Sequence, residues 1–261
     1  MRKALLSVVA LLLLTLSASA KDVSTYFVGD YISEATATKT LKDAGFEVLA
    51  TEKIDRKGQY KTIIFTCPTL KKLSSKEGRG FYAIGRAFIN EKDKEFRLAN
   101  PNYFGHSFLQ GDYDEVVHNV TDKLLKAFPN LTGSVDKLNR DDLEGYHFMF
   151  GMPYYEDMLT VGKGANLLSK VKSKALFTVK LANSTLVGLD LKSRTKKFVK
   201  KIGKQNGLVL PYTVLIEDGK AKILDPKYYI AIMYPLLTMG EFTKIATVPG
   251  AIETEMKRAF K

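Results

Sequence analysis

Histidines, cysteine and paired carboxylates are the side chains able to support acid–base, nucleophilic or metal chemistry. The chain has three histidines, His106, His118 and His147. No two of them have the spacing of metal ligands, and the single cysteine, Cys67, excludes both an internal disulfide and a Cys-x-x-Cys redox motif. The acidic pairs at 141–142 and 156–157 lie in polar stretches, where carboxylates commonly cap helices and turns. We therefore predict no catalytic residue, no metal site and no cofactor.

Aromatic residues that follow two predicted hairpins are better candidates, for binding rather than catalysis. Tyr103 follows the first hairpin, and Tyr228 and Tyr229 follow the second. Their rings offer apolar area and their hydroxyls add directional hydrogen bonds. His106 lies just beyond Tyr103 in a predicted loop, and Arg86, on an otherwise apolar strand, requires either a carboxylate or an anionic ligand. We predict these five as ligand-binding residues; the alternative is that the tyrosines pack in the core or between two halves.

Positive charge is the second indication of function. The formal net charge is +12, and the densest basic stretch, residues 192–204, holds seven lysines and arginines. This stretch is either the solvated face of a helix or a surface that attracts an anionic ligand or membrane. A basic chain is also compatible with nucleic-acid binding. Because the lysines are spread over both halves and the chain has an export signal, we predict no nucleic-acid partner.

The amino terminus has the pattern of a signal peptide. Arg2 and Lys3 precede an apolar run at 4–16, and Ala18-Ser19-Ala20 supplies small residues for cleavage. The apolar run is short for a membrane span, although an uncleaved anchor is the alternative. We predict that residues 1–20 are removed and that the protein is periplasmic or secreted.

Two similar stretches organise the remainder of the chain. Residues 207–226 contain an apolar run with a proline, the turn Asp218-Gly219 and a returning strand, which together predict a β-hairpin. Residues 80–101 repeat this pattern with a longer turn. The predicted strands lie at 23–29, 46–54, 60–67, 146–151, 175–180 and 185–190, and the predicted helices at 34–44, 69–75, 114–128, 165–171, 193–202 and 251–260.

These elements predict an α+β fold made of two tandem copies of a two-layer unit, each with a mainly antiparallel sheet packed by helices. The copies would span residues 21–128 and 143–261, joined by a polar linker at 129–142. The alignment pairs glycines, prolines and tyrosines in the same order: Gly29 with Gly151, Gly80 with Gly207, Pro101 with Pro226, and Tyr103 with Tyr228. Two unrelated α+β domains, or one larger mixed sheet, are the alternatives.

Short motifs in both copies resemble a known family. The motifs are Asp43-Ala44-Gly45-Phe46, Phe65-Thr66-Cys67-Pro68, Gly207-Leu208-Val209-Leu210-Pro211 and Asp225-Pro226. They resemble the domain of unknown function 302 family over most of residues 23–260. Each copy matches in part: Ala83-Ile84 replaces the Leu-Pro in the first, and residues 188–191 replace the Cys-Pro in the second.

The resemblance implies a two-layer α/β fold with an antiparallel sheet and supplies no catalytic residues. A single-copy member would need a partner to cover its exposed sheet, so a tandem chain is expected to act as a monomeric pseudo-dimer. We predict a non-catalytic binding protein for a small amphipathic or anionic molecule, or for an acidic surface of the cell envelope through peripheral membrane contact. The alternatives are an enzyme whose site is assembled from His106, Cys67 and distant carboxylates, and a structural or assembly factor of the envelope.

Overall fold

The computed structural model describes residues 21–261, except for the side chains of residues 204 and 205. The predicted signal peptide lies outside this range. The described chain is an α+β protein with nine α-helices and three antiparallel sheets around one continuous apolar core. None of the helices in this range has the length and apolar character that crossing a bilayer requires.

The first half contains β1 (Asp22–Ser24), β2 (Tyr26–Asp30), α1 (Glu34–Asp43), β3 (Glu47–Lys53), β4 (Tyr60–Thr66), α2 (Pro68–Leu73), β5 (Gly85–Asn90), β6 (Glu95–Ala99), α3 (Pro101–Leu109) and α4 (Val117–Ala127). Two short strands follow, β7 (Thr132–Gly133) and β8 (Lys137–Asn139). The second half contains β9 (Leu159–Lys163), α5 (Leu167–Val171), β10 (Ala175–Lys180), β11 (Ser184–Leu189), α6 (Ser193–Lys196), β12 (Tyr212–Glu217), β13 (Lys220–Ile223), α7 (Pro226–Met233), α8 (Met239–Lys244) and α9 (Val248–Ala259). Short 3-10 turns at Gly80–Ala83 and Lys204–Val209 precede β5 and β12.

Local sequence signals explain several of these boundaries. The Ser33 hydroxyl accepts a hydrogen bond from the Thr36 N–H at 3.2 Å, which caps α1. Gly45 follows that helix with a φ of 74°, the left-handed conformation that glycine adopts readily. At the β12–β13 turn, Asp218 and Gly219 have φ values of 49° and 66°, as a two-residue hairpin turn with both central residues left-handed requires.

The two large sheets have the same strand order. The first runs β3-β4-β5-β6-β2 with β7 added at its edge, and the second runs β10-β11-β12-β13-β9. Each strand of the first five therefore has a counterpart at the same place in the other sheet. This is the arrangement expected of two copies, although the duplication itself stays an interpretation.

The first strand of the second half was predicted in the wrong place. Residues 146–151 form turns and bends, and the counterpart of β2 is β9. Gly29 of β2 therefore corresponds to Gly162 of β9 rather than to Gly151. The alternation of aromatic residues at 146–151 suggested a strand, but these residues lie in a loop. There the Phe148 ring packs against the Phe242 ring, with ring centres 5.4 Å apart.

The predicted linker at 129–142 is tied to the first half. Strand β7 pairs with β2, and β8 pairs with β1. The predicted strand at 23–29 is interrupted at Thr25, whose N–H donates to the Asp136 carbonyl at 2.8 Å. The polar composition of this segment therefore reflects edge strands and turns rather than a free connection.

Two helices, α3 and α7, lie where the sequence predicted no helix. Asn100 and Asp225 cap them by accepting hydrogen bonds from the N–H groups of Asn102 and Lys227, at 3.0 and 2.8 Å. Each helix then begins with a proline, which suits the first turn. Most residues of both helices are buried, so neither helix shows the one-sided periodicity on which the prediction relied.

Candidate functional site

The two halves meet through a reciprocal pair of hydrogen bonds between α3 and α7. The Tyr103 hydroxyl donates to the Ile232 carbonyl at 3.0 Å, and the Tyr228 hydroxyl donates to the Ser107 carbonyl at 3.2 Å. Each tyrosine is the third residue of its helix, and each acceptor is the seventh residue of the other helix. An approximate two-fold axis therefore relates the two hydrogen bonds, as in an isologous dimer interface.

Glycines give a second reciprocal contact. A Cβ at Gly80 would overlap Leu215 of β12, and a Cβ at Gly207 would overlap Phe88 of β5. Because β5 and β12 hold the same place in their sheets, the turn that precedes each hairpin packs on the sheet of the other half. Only glycine leaves enough room at these two positions.

Replacing Tyr103 or Tyr228 by phenylalanine is expected to lower the free energy of unfolding by about 1 kcal/mol, because each change removes a buried hydrogen bond between the halves. Urea denaturation measures both losses, and the two-fold arrangement predicts that they are similar. Tyr154→Phe is the control because this side chain is exposed. A loss at only one of the two positions would contradict the reciprocal arrangement.

Four of the five predicted ligand-binding residues lie in this interface. Arg86, Tyr103, Tyr228 and Tyr229 are all buried, and burial raises the pKa of the three tyrosines. Arg86 Nη2 donates to the Pro211 carbonyl at 3.3 Å, and its guanidinium carbon lies 5.9 Å from the centre of the Tyr229 ring. These contacts are those of packing between the halves, the alternative that the sequence left open. Ligand binding by these residues stays a prediction.

His106 is placed differently from its prediction, because it lies on helix α3 rather than in a loop. It is half-buried and stacks on the Tyr113 ring with ring centres 3.7 Å apart. Burial lowers the pKa of this histidine. Cys67, the other residue of the enzyme alternative, is buried as an apolar residue would be.

A cleft of about 770 Å³ between the halves carries a dense positive charge. The β3–β4 turn and the β5–β6 turn of the first half face residues 193–200 of the second half across it. Seven cations line it: Lys53, Arg56, Lys57 and Lys92 from the first half, and Lys196, Lys197 and Lys200 from the second. Asp55 is the only acidic residue among the described residues of its lining. We call this surface the basic cleft.

The cations of the basic cleft are mostly available to a ligand. Six of the seven form no ion pair with any other described residue; Lys196 is the exception. Ile54 adds partly exposed apolar surface between them, while Tyr60 and Val199 border the cleft but are buried. Like charges held close together without counter-ions create a strong local attraction for anions.

Lys196 is held in place by two carboxylates from different halves. Its Nζ lies 3.1 Å from Glu52 Oε1 and 2.7 Å from Asp190 Oδ1, and it donates to the Lys53 carbonyl at 3.2 Å. Burial is the main cause that raises the pKa of Glu52 to about 8, and a hydrogen bond with Asp190 contributes to the rise. The Lys196 ammonium acts to lower this pKa. Burial acts to lower the pKa of Lys196, but the two carboxylates outweigh it and the pKa is raised.

A second, smaller cleft of about 370 Å³ also lies between the halves. There the β12–β13 hairpin faces Glu77, Gly78 and Arg79, which follow α2. Two of the three cations in its lining are paired: Arg79 with Glu156 at 2.6 Å, and Lys222 with Glu217 at 2.9 Å. The two clefts therefore differ in how far their charges are paired.

Glu77, Glu217 and Asp218, beside the second cleft, bring one carboxylate oxygen each within 4.8 Å of the others. Glu217 is buried, and its carboxylate already accepts hydrogen bonds from the Gly78 N–H, at 3.1 and 3.2 Å, and from Lys222. The Glu217 carboxylate is therefore already occupied by hydrogen-bond donors of the protein. Nothing else among the described residues around the cluster indicates a metal ion.

Comparison with family models, curated proteins and solved structures finds no match to this chain. The resemblance to the domain of unknown function 302 family therefore stays a prediction, and the site has to be interpreted from its own geometry.

Proposed function

We propose that this protein binds a small anionic ligand in the basic cleft and does not transform it. The observation that supports the proposal most is the set of six cations, from both halves, that have no ion pair among the described residues. Leaving so many like charges together costs free energy through mutual repulsion. A bound anion offsets that cost.

The chemistry of the lining indicates the class of ligand. Lysine and arginine side chains suit phosphate, sulfate or carboxylate groups. Ile54, which is partly exposed, provides apolar contact for an organic body attached to those groups. A volume of about 770 Å³ is within the usual range of small-molecule sites. The ligand we propose is therefore an amphipathic anion that carries more than one negative charge.

The proposal includes export to the periplasm or the medium, which rests on the pattern of residues 1–20. It also includes a monomeric protein, since the reciprocal contacts of the two halves give one chain an interface that otherwise needs two.

Pyrenetetrasulfonate is a suitable probe because it has a flat apolar body and sulfonates that stay ionised across the useful pH range. The variant Lys197→Gln/Lys200→Gln is expected to bind this dye about twentyfold more weakly, because two unpaired lining cations are lost. Fluorescence titration measures the affinity, which is also expected to fall as salt is added.

The matched control is Lys172→Gln/Lys174→Gln, which removes the same charge from two exposed lysines outside the cleft. An equal loss of affinity in both variants would show general attraction to a basic protein and would contradict a defined site. Failure to bind the dye, together with cosedimentation with phosphatidylglycerol vesicles, would favour an acidic envelope surface as the target.

A further inference from the structure

Glu52, Asp190 and Lys196 form a group of three charged side chains at the basic cleft, to which both halves contribute. Glu52 lies on β3 of the first half with 3% of its side chain exposed, while Lys196 of the second half is 10% exposed. Asp190, which follows β11, is about half-exposed. Lys196 is at once a partner of both carboxylates and a residue of the cleft lining.

This group contains one cation and two carboxylates, so its charge depends on whether a proton is present. Glu52 and Asp190 lie within hydrogen-bonding reach of each other, so one proton can be held between them. Glu52 Oε2 is buried and has no hydrogen-bond partner within residues 21–261. An ionised Glu52 is therefore poorly solvated, and a protonated one is favoured.

We propose that anion binding in the basic cleft is coupled to the protonation of Glu52, so that the ligand binds with uptake of a proton and is released as Glu52 ionises. The proton moves between solvent and the Glu52 carboxylate, and no covalent bond to the ligand forms. This inference rests on the proposed function of the basic cleft.

The proposed coupling is electrostatic, because Glu52 lies next to Lys196 of the cleft lining. An ionised Glu52 places a negative charge 3.1 Å from Lys196 Nζ, which weakens the attraction of the lining for an anion. By linkage, a bound anion must favour the protonated form of Glu52 to the same extent. The pKa of Glu52, about 8, places this exchange between pH 7 and 9.

Neighbouring groups leave Glu52 as the titrating residue in that range. On β4, Thr62 lies opposite Glu52, and the adjacent Lys61 pairs with Glu34 of α1 at 2.9 Å. From the second half, Asp190 and Lys196 face Glu52. No histidine occurs among the described residues that line the basic cleft.

Dye titration at several pH values tests the coupling. In the native protein the affinity for pyrenetetrasulfonate is expected to fall about tenfold between pH 7 and 9. Calorimetry in two buffers of different ionisation enthalpy is expected to show proton uptake near pH 8. Glu52→Gln, which imitates the protonated side chain, is expected to bind equally at both pH values and to take up no proton. Glu47→Gln is the control because Glu47 is exposed on the same strand and pairs with Lys71.

Asp190→Asn gives an independent readout if Glu52→Gln folds poorly. Loss of the Asp190 charge is expected to lower the pKa of Glu52, so the fall in affinity should move to lower pH. Dye binding with an unchanged pH profile in Glu52→Gln, or in a folded Asp190→Asn variant, would overturn the coupling and leave the binding site intact. Absence of dye binding by the native protein at pH 7 would overturn the proposed function itself.

Discussion

Replacing Lys196 by methionine is expected to lower the free energy of unfolding by about 2 kcal/mol at pH 9 and by about 1 kcal/mol at pH 6. At pH 9 the buried Glu52 is largely ionised, and the change removes the cation that lies 3.1 Å away. At pH 6 Glu52 is protonated, so the change removes the ion pair with the half-exposed Asp190 and the hydrogen bond to the Lys53 carbonyl, but no charge partner of Glu52. The effect should therefore be larger at the higher pH.

The native protein has its own pH dependence through Glu52. Folding raises the pKa of this group from 4.5 to about 8, so the folded state binds the proton more tightly than the unfolded state. The stability that this contributes is fully present below pH 4.5 and is lost as the pH rises through about 8. Urea denaturation of the native protein and of Lys196→Met at both pH values separates the two effects.

Lys197→Met is the matched control for this experiment. Lys197 is the next residue along the chain, is exposed and forms no ion pair in the described range. We expect its effect on stability to stay within about 0.5 kcal/mol at both pH values. Equal losses for Lys196→Met at pH 6 and pH 9 would show that Glu52 does not depend on this cation.

The second large effect is expected where the halves pack on each other. Gly80→Ala and Gly207→Ala should each lower the free energy of unfolding by about 2 kcal/mol, since the added methyl group meets Leu215 or Phe88. Both are fully buried core side chains with little freedom to move. The two losses should be similar because the contacts are equivalent.

A compensating change distinguishes overlap from a backbone effect. Leu215→Val should restore part of the stability lost in Gly80→Ala and should not help Gly207→Ala, whose neighbour is Phe88. Gly250→Ala is the control, because a Cβ there has no neighbour within 4 Å and the residue lies in helix α9. That change should be neutral or stabilising. A Gly80→Ala variant as stable as the native protein would mean that the turn can shift.

Features encoded within a few residues were predicted well. The helix predicted at 34–44, which the structure shows capped by Ser33 and followed by Gly45, and the Asp218-Gly219 turn depend on the chemistry of a few local residues. The helix predicted at 114–128 was recognisable because only one face of α4 is buried. Helices α3 and α7 were missed because the prediction required such a stripe, and both are buried nearly all round. Their available signals were Asn100-Pro101 and Asp225-Pro226, a capping residue followed by proline.

The basic cleft was only partly predictable, because it is assembled from distant segments. The stretch 192–204 was noted for its charge and supplies one wall of the basic cleft. The opposite wall, with Arg56, Lys57 and Lys92, is spread over separate turns and carries no local motif. Glu52 gave no signal either, since an isolated glutamate in a predicted strand does not reveal that it will be buried beside Lys196.

The joining of two similar halves in one chain has a consequence for how such a protein can change. In a dimer of identical chains every substitution appears twice, so symmetry-related surfaces must keep the same charge. In a single chain, each half is encoded by its own codons and can be altered alone. The basic cleft and the second cleft, where Arg79 and Lys222 are paired, are lined by different positions of the two halves. A two-fold framework can thus carry a charged cleft whose charge its counterpart need not repeat.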